Sequence, residues 1–242
     1  MRNFAGRRFR LGVIIAAVSG VLSALIVVSS LAANSVDTSL SDADRDVIEG
    51  LDINDVCGEM HGFDDQLNCI QRGQAVMDGT YPDTNDSFEK GITSHELSDF
   101  HERGFGPCYD RALLLEKLFA YYGLETRRVA IYEKQRFPWD YLMPGIRSHA
   151  LSEVNTERGW MVVDSVSPVV GVDEEGEVYS IRDIRDGMQN GEVDDETFGV
   201  AVPGDFFDGQ FAFAYGVYSR HGHFFDPHLP VPEVKWTDFR LW

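Results

Sequence analysis

The chain has 242 residues, 43% of them hydrophobic, with nine prolines, which describes a globular protein of one ordinary domain plus an extension, or of two small domains. Its formal charge of −19 argues against nucleic acid and anionic lipid surfaces as partners, because phosphate groups repel such a surface. The acidity lies beyond the N-terminus: setting aside Arg2, Arg7, Arg8 and Arg10 leaves 17 basic residues against 40 acidic ones, so residues 34–242 carry about −23.

Residues 1–10 form a basic N-terminus, and residues 11–33 are apolar and uncharged. At about 1.5 Å per residue, a helix of that length spans a hydrocarbon core of roughly 30 Å. The arginines stand on one side only, which places that end in the cytoplasm and the remainder in the periplasm or outside the cell. The expectation is therefore a single N-terminal transmembrane helix that anchors the chain in the cell membrane. A cleaved signal peptide is the alternative, with Ser30 and Ala32 as a small-x-small site, although the apolar run is longer than an ordinary signal core. A buried soluble helix would leave the one-sided arginines unexplained. Arg7-Arg8 matches a twin-arginine signal poorly, since Arg10 falls where an apolar residue belongs.

Residues 34–56 read as an acidic stalk or a loose first helix, and 57–85 as a helical lead-in with a helix from Asp64 to Met77. Cys57 and Cys69 lie close enough to close a small loop by a disulfide in an oxidising compartment, which would leave Cys108 alone. The other reading has all three cysteines free and buried as small hydrophobes. Tyr81 to Asp86 is turn-rich, residues 86–217 form the main domain, and 218–242 are a tail rich in proline, histidine and aromatics without a period.

Within the main domain a helix begins near Pro107–Cys108, where proline suits the first turn. Leu114, Leu115, Leu118, Phe119 and Tyr122 recur at helical spacing, and Gly123 ends the helix. A strand follows over Arg127 to Glu133, with Val129 and Ile131 alternating against Arg128, Ala130 and Tyr132. Two further short strands, His149–Val154 and Gly159–Asp164, flank Asn155-Thr156-Glu157-Arg158. As a hairpin around that four-residue loop, Val154 opposes Gly159 and His149 opposes Asp164, with Cβ atoms about 4.5–5.5 Å apart on one face. Leu151/Val162 and Glu153/Trp160 share that face, and Ala150, Met161 and Val163 take the other.

A cysteine at a helix N-terminus has its thiolate favoured by the helix dipole and by N–H groups that also suit an oxyanion. A histidine beside it takes the thiol proton and later protonates a leaving group, and a carboxylate orients the histidine. Singly, each residue reads as an ordinary core cysteine, a satisfied polar histidine or a turn aspartate. Jointly they hold the parts for acyl transfer through a thioester.

Three segments carry a resemblance. Gly106-Pro107-Cys108-Tyr109-Asp110-Arg111-Ala112-Leu113-Leu114, continued by Tyr122 to Val129, resembles the nucleophile helix and next strand of the transglutaminase-like superfamily. Ser148-His149-Ala150-Leu151-Ser152-Glu153-Val154 is similar to that family's His-Ala-Trp-x-Glu-Val segment, and Gly159-Trp160-Met161-Val162-Val163-Asp164 to its Gly-x-Trp-x-x-x-Asp segment. The resemblance covers about residues 100–166. It implies an α+β, papain-like fold with the nucleophile helix packed on an antiparallel sheet, and a catalytic triad of Cys108, His149 and Asp164. Leu151 stands where the family has Trp, and Ser165-Val166 replaces its Pro-Thr, departures that bear on the acyl pocket. Nothing resembles the calcium sites or added barrels of the large animal enzymes, so no cofactor is expected. Gln74, His95 and His101 are candidate side-chain oxyanion donors, with the helix N–H groups the simpler choice.

In the tail, His221, His223 and His228 with Asp226 are weak candidates for a metal, since His-x-His shares one face only in an extended chain; the other reading has Tyr218 to Phe225 wrap the sheet or border the cleft. The expected function is that of a membrane-anchored, exported cysteine enzyme acting on a protein, peptide or other amide substrate in the cell envelope, by hydrolysis or by transfer to an amine. The alternative is a non-catalytic envelope binding or scaffolding module that keeps the fold. A redox role lacks a Cys-x-x-Cys motif.

Overall fold

The computed structural model describes residues 18–23, 35–82, 96–133, 148–168, 170–191, 211–218 and 233–241. The chain separates into two compact units, Met1–Ser35 and Val36–Trp242.

In the first unit, residues 18–23 are helical, a length of about 9 Å. The expected transmembrane helix over 11–33 is corrected here: among the described residues no helix is long and apolar enough to cross a membrane. The longest helix described, Phe63–Thr80, carries Asp64, Asp65, Arg72 and Asp78. The expectation rested on hydropathy, which measures side-chain transfer and does not by itself make a run of residues one continuous helix. The remainder of that stretch lies outside the described residues.

The second unit is α+β with one antiparallel sheet. Its elements are α1 (Asp42–Glu49), α2 (Asn54–Cys57), α3 (Phe63–Thr80), α4 (Leu97–Arg103), α5 (Cys108–Tyr121), β1 (Glu125–Glu133), β2 (Ser148–Thr156), β3 (Gly159–Asp164), α6 (Ile181–Asn190), β4 (Phe211–Tyr215) and β5 (Arg240–Leu241). The strand order is β3-β2-β1-β4-β5. The sheet's two faces follow the alternation along β1. Val129 and Ile131 join Leu151, Val162, Phe213 and Ile184 of α6 in one apolar cluster. Ala130 and Tyr132 cluster on the other side with Ala214 and Val217, and Ser152 of β2 reaches the Ala112 carbonyl of α5 at 3.3 Å.

Residues 42–49 of the acidic segment are helical. Ser41 caps α1 through a reciprocal box with Asp44, and Ile48 and Ile53 are fully buried in the main core. Their apolar side chains are sparse among acids, so average composition concealed an amphipathic helix. A disulfide joins Cys57 of α2 to Cys69 of α3. Gly73 lets α3 approach α5, where a Cβ would lie 2.8 Å from Phe119 Cε1.

Helix α5 is the centre of this unit, with every residue from Tyr109 to Phe119 buried. Buried charges require partners, and four neighbouring elements or connections supply them. Asp110 is bonded by Arg103 of α4 at 3.2 Å, Arg111 by Asp78 of α3 at 2.5 Å, Lys117 by Asp44 of α1 at 2.6 Å, and Glu116 by Arg128 of β1 at 2.5 Å. Gly123, at φ +85°, ends the helix with its N–H on the Ala120 carbonyl and that of Leu124 on the Phe119 carbonyl.

The β2–β3 hairpin differs from expectation by two residues. The turn is only Glu157-Arg158, and Thr156 pairs with Gly159. Thr156 closes it with its hydroxyl, which donates to the Gly159 carbonyl at 2.9 Å and accepts from the Arg158 N–H at 3.2 Å. Leu151, not His149, therefore stands opposite Asp164, and Glu153 stands opposite Val162. A slip of two preserves the side-chain parity, so the expected faces hold while the pairings shift. The tail's far end returns to the sheet, with Val217 bridged to Val234 and β5 paired to β4.

Candidate active site

His149 and Asp164 meet diagonally across the hairpin. Residues offset by two on neighbouring strands have Cα atoms about 7–8 Å apart, a gap that a long side chain crosses. His149 Nε2 lies 2.8 Å from Asp164 Oδ1. The same carboxylate accepts the Val166 N–H at 2.9 Å and, through Oδ2, the Ser167 hydroxyl at 2.7 Å. These bonds fix the acceptor's plane and hence the imidazole's orientation.

Cys108 is the first residue of α5, follows Pro107, and is partly exposed; no side chain caps this helix. Cys108 and His149 line the same cavity, and the Cys108 side chain is close enough to His149 to favour its charged form. The three residues named from the sequence thus lie in one chain of contacts, Cys108–His149–Asp164. Ser165 adds a second tie: its hydroxyl is 3.0 Å from the Cys108 carbonyl and 3.4 Å from that of Ala150, and its own carbonyl accepts Arg111 Nε at 2.7 Å.

The electrostatics favour an ion pair. Burial works against a charged His149, yet the Asp164 carboxylate, its hydrogen bond and the Cys108 sulfur outweigh it and hold the imidazolium well above the ordinary range. Burial would raise Asp164, but the His149 charge and the bonds from His149, Ser167 and Val166 bring it below the usual carboxylate value. Each partner favours the other's charged form.

Cys108 and His149 open on a cavity of about 20 Å³, walled by Tyr109, Tyr132, Val217 and Tyr218. That is room for about one water molecule. Behind it, Tyr218 donates to Glu116 Oε2 at 2.9 Å, and its ring covers the Arg128 guanidinium at 4.5 Å.

Other candidates fall elsewhere. Gln74 is buried, but its two amide N–H groups are directed to the carbonyls of Asp164 at 2.8 Å and Ser167 at 3.3 Å, which leaves none for an oxyanion. Its position supports the segment after Asp164 instead. His101 Nδ1 is engaged by the Tyr81 hydroxyl at 2.5 Å, away from the cavity's lining. His95, His221, His223, His228 and Asp226 lie outside the described residues, and among the described residues no group of three potential ligands could hold a metal.

Sequence reasoning missed Ser167 and Tyr132. Ser167 lies three residues after Asp164 and was legible as a polar partner, whereas Tyr132 reaches the site only through the sheet order. Compared with protein-family models and with curated proteins, the chain matches none.

Proposed function

We propose that the chain is an exported cysteine acyl-transfer enzyme of the transglutaminase-like type, with Cys108 as nucleophile, His149 as acid and base, and Asp164 as the residue that orients His149. The observation that carries this reading is the Cys108–His149–Asp164 contact chain at the N-terminus of a buried helix. Export is supported by the Cys57–Cys69 disulfide, which belongs to an oxidising compartment and leaves Cys108 as the free thiol.

The Cys108 thiolate attacks an amide or ester carbonyl carbon, forming the C–S bond while the carbonyl π electrons move to oxygen. N–H groups at the start of α5 stabilise that oxyanion. Collapse breaks the bond to the leaving amine or alcohol, which takes its proton from His149. Neutral His149 then removes a proton from water or from an incoming amine, which attacks the thioester; collapse breaks the C–S bond and restores the thiolate–imidazolium pair. Water yields hydrolysis, and an amine yields cross-linking or transfer.

The test uses iodoacetamide and a glutaminyl peptide, with ammonia release read both with and without an added primary amine. Cys108 should alkylate faster than free cysteine, and Cys108→Ala should lose both alkylation and ammonia release. Undiminished ammonia release by Cys108→Ala, or alkylation no faster than free cysteine, overturns the reading and leaves a non-catalytic envelope module in its place.

A further inference from the structure

Away from Cys108, a cavity of about 760 Å³ opens where the start of β1, the β2–β3 turn, the start of α6, the end of β4 and the C-terminal segment meet. It shares no lining residue with the Cys108 cavity. Five cationic side chains converge on it, Arg127, Arg158, Arg182, Lys235 and Arg240, in a chain with a formal charge of −19. These residues come from separate stretches of sequence, so only the fold gathers them.

The carboxylates nearby are already committed. Asp183 accepts the Ser180 N–H at 2.9 Å and hydroxyl at 2.6 Å in the α6 cap. Asp238 pairs with Lys235 at 2.7 Å, and Glu125 accepts from Asn155 at 2.9 Å. Buried Glu153 binds Arg127 from beneath, through Nε at 2.6 Å. Among the described residues Arg158 and Arg240 have no carboxylate partner: the first donates to the Gly176 carbonyl and the second to the Phe239 carbonyl, each at 2.6 Å. Both are exposed, and the lining holds five cations against three carboxylates, Glu125, Asp183 and Asp238, so its balance is positive even with buried Glu153 counted.

The cavity's Arg127 is held by several partners. Its guanidinium is sandwiched between the rings of Trp160 at 3.9 Å and Tyr215 at 4.2 Å, and it donates to the Tyr215 hydroxyl at 3.2 Å. A concavity of this volume fits a small molecule. Guanidinium forks match carboxylate and phosphoryl oxygens in pairs, and a positive concavity in an acidic surface concentrates anions from solution.

We propose that this cavity binds a small organic or inorganic polyanion bearing two or more carboxylate or phosphoryl groups. Arg158 and Arg240 grip the anionic groups, while Arg127 and Trp160 form a preordered wall. The site stands independently of the proposed catalysis.

Isothermal titration of the full chain at low salt tests it, with citrate as the carboxylate arm and inorganic pyrophosphate as the phosphoryl arm. The expected result is saturable one-to-one binding of at least one anion, and the tighter arm identifies the preferred group. The double variant Arg158→Gln/Arg240→Gln should weaken that binding at least about tenfold, a loss of about 1.4 kcal/mol. A charge-matched control, Arg45→Gln/Arg72→Gln, removes two arginines elsewhere and should leave the affinity within about threefold, as screened long-range charge allows. Cys108→Ala should bind as tightly as the wild type. Absence of saturable binding in both arms, an affinity unmoved in the double variant, or an equal loss in the charge-matched control overturns the proposal.

Discussion

Asp164 accepts hydrogen bonds from an imidazole, a backbone N–H and a serine hydroxyl, so its carboxylate can neither rotate nor be replaced by an amide without loss. Asparagine offers one acceptor oxygen and no charge, which strands at least one donor and removes the attraction that holds His149 charged. Asp164→Asn should lower turnover by about 10²–10⁴-fold, the range for losing a properly oriented acid–base group. The imidazolium of that variant, followed by NMR titration, should lose its proton at lower pH than in the wild type. The stability effect has a defined window. His149 is raised in the fold, so its contribution is complete below its ordinary value of 6.5 and is lost as pH rises through the folded value. Asp164 is lowered, so its contribution is complete above its ordinary value of 3.8 and is lost as pH falls through the folded value. Urea denaturation at stepped pH should therefore show the largest gap between wild type and Asp164→Asn from about pH 4 to 6.5, shrinking on either side.

Elements reach the site by different routes. Helix α5 was readable from local chemistry: Pro107 before Cys108, apolar residues at helical spacing, and Gly123 at a positive φ. The hairpin was readable in its faces but not in its register. A four-residue loop and a two-residue turn preserve the same alternation, and the Thr156 hydroxyl closing the turn is what selects the shorter one. The sequence does not separate a stalk from a helix at α1, because acids dominate its average, although Ser41 and Asp44 spell a capping box. The disulfide is the covalent link between α2 and α3, across a sequence separation of 12. A loop of that size restricts the unfolded chain by about 3 kcal/mol. Cys57→Ser/Cys69→Ser should lose about that amount in chemical denaturation, and a reductant should weaken the wild type by as much while leaving the variant unchanged.

At the scale of the whole molecule, α5 acts as the hub to which the surrounding pieces are tied by charge as well as by apolar burial. Asp44 is fully buried, bonded by Lys117 at 2.6 Å and by the Leu97 N–H at 3.3 Å, so a single carboxylate ties α1 to α4 and α5. Removing Lys117 leaves that charge without its cation, and Lys117→Met should cost about 3–5 kcal/mol in urea denaturation. If the loss were below about 1 kcal/mol, the pair would behave as a surface ion pair and the tie would be dispensable. The acidic N-terminal segment thus belongs to the core that carries Cys108.

By itself, the sequence determined what depends on neighbours along the chain: the helix beginning at Cys108, the alternation that puts His149 and Asp164 on one face, the proximity of Cys57 to Cys69, and the strong negative charge. The tertiary structure decided what depends on residues far apart in sequence. It set the diagonal contact of His149 with Asp164, placed Gln74 under the segment that follows Asp164, and gathered Arg127, Arg158 and Arg240 into one cavity. Periodicity and capping are local energies of a few residues and leave their trace in composition and spacing. Strand order, register and the pairing of buried charges are settled by burial across the whole unit, where a turn one residue shorter at each end moves every partner.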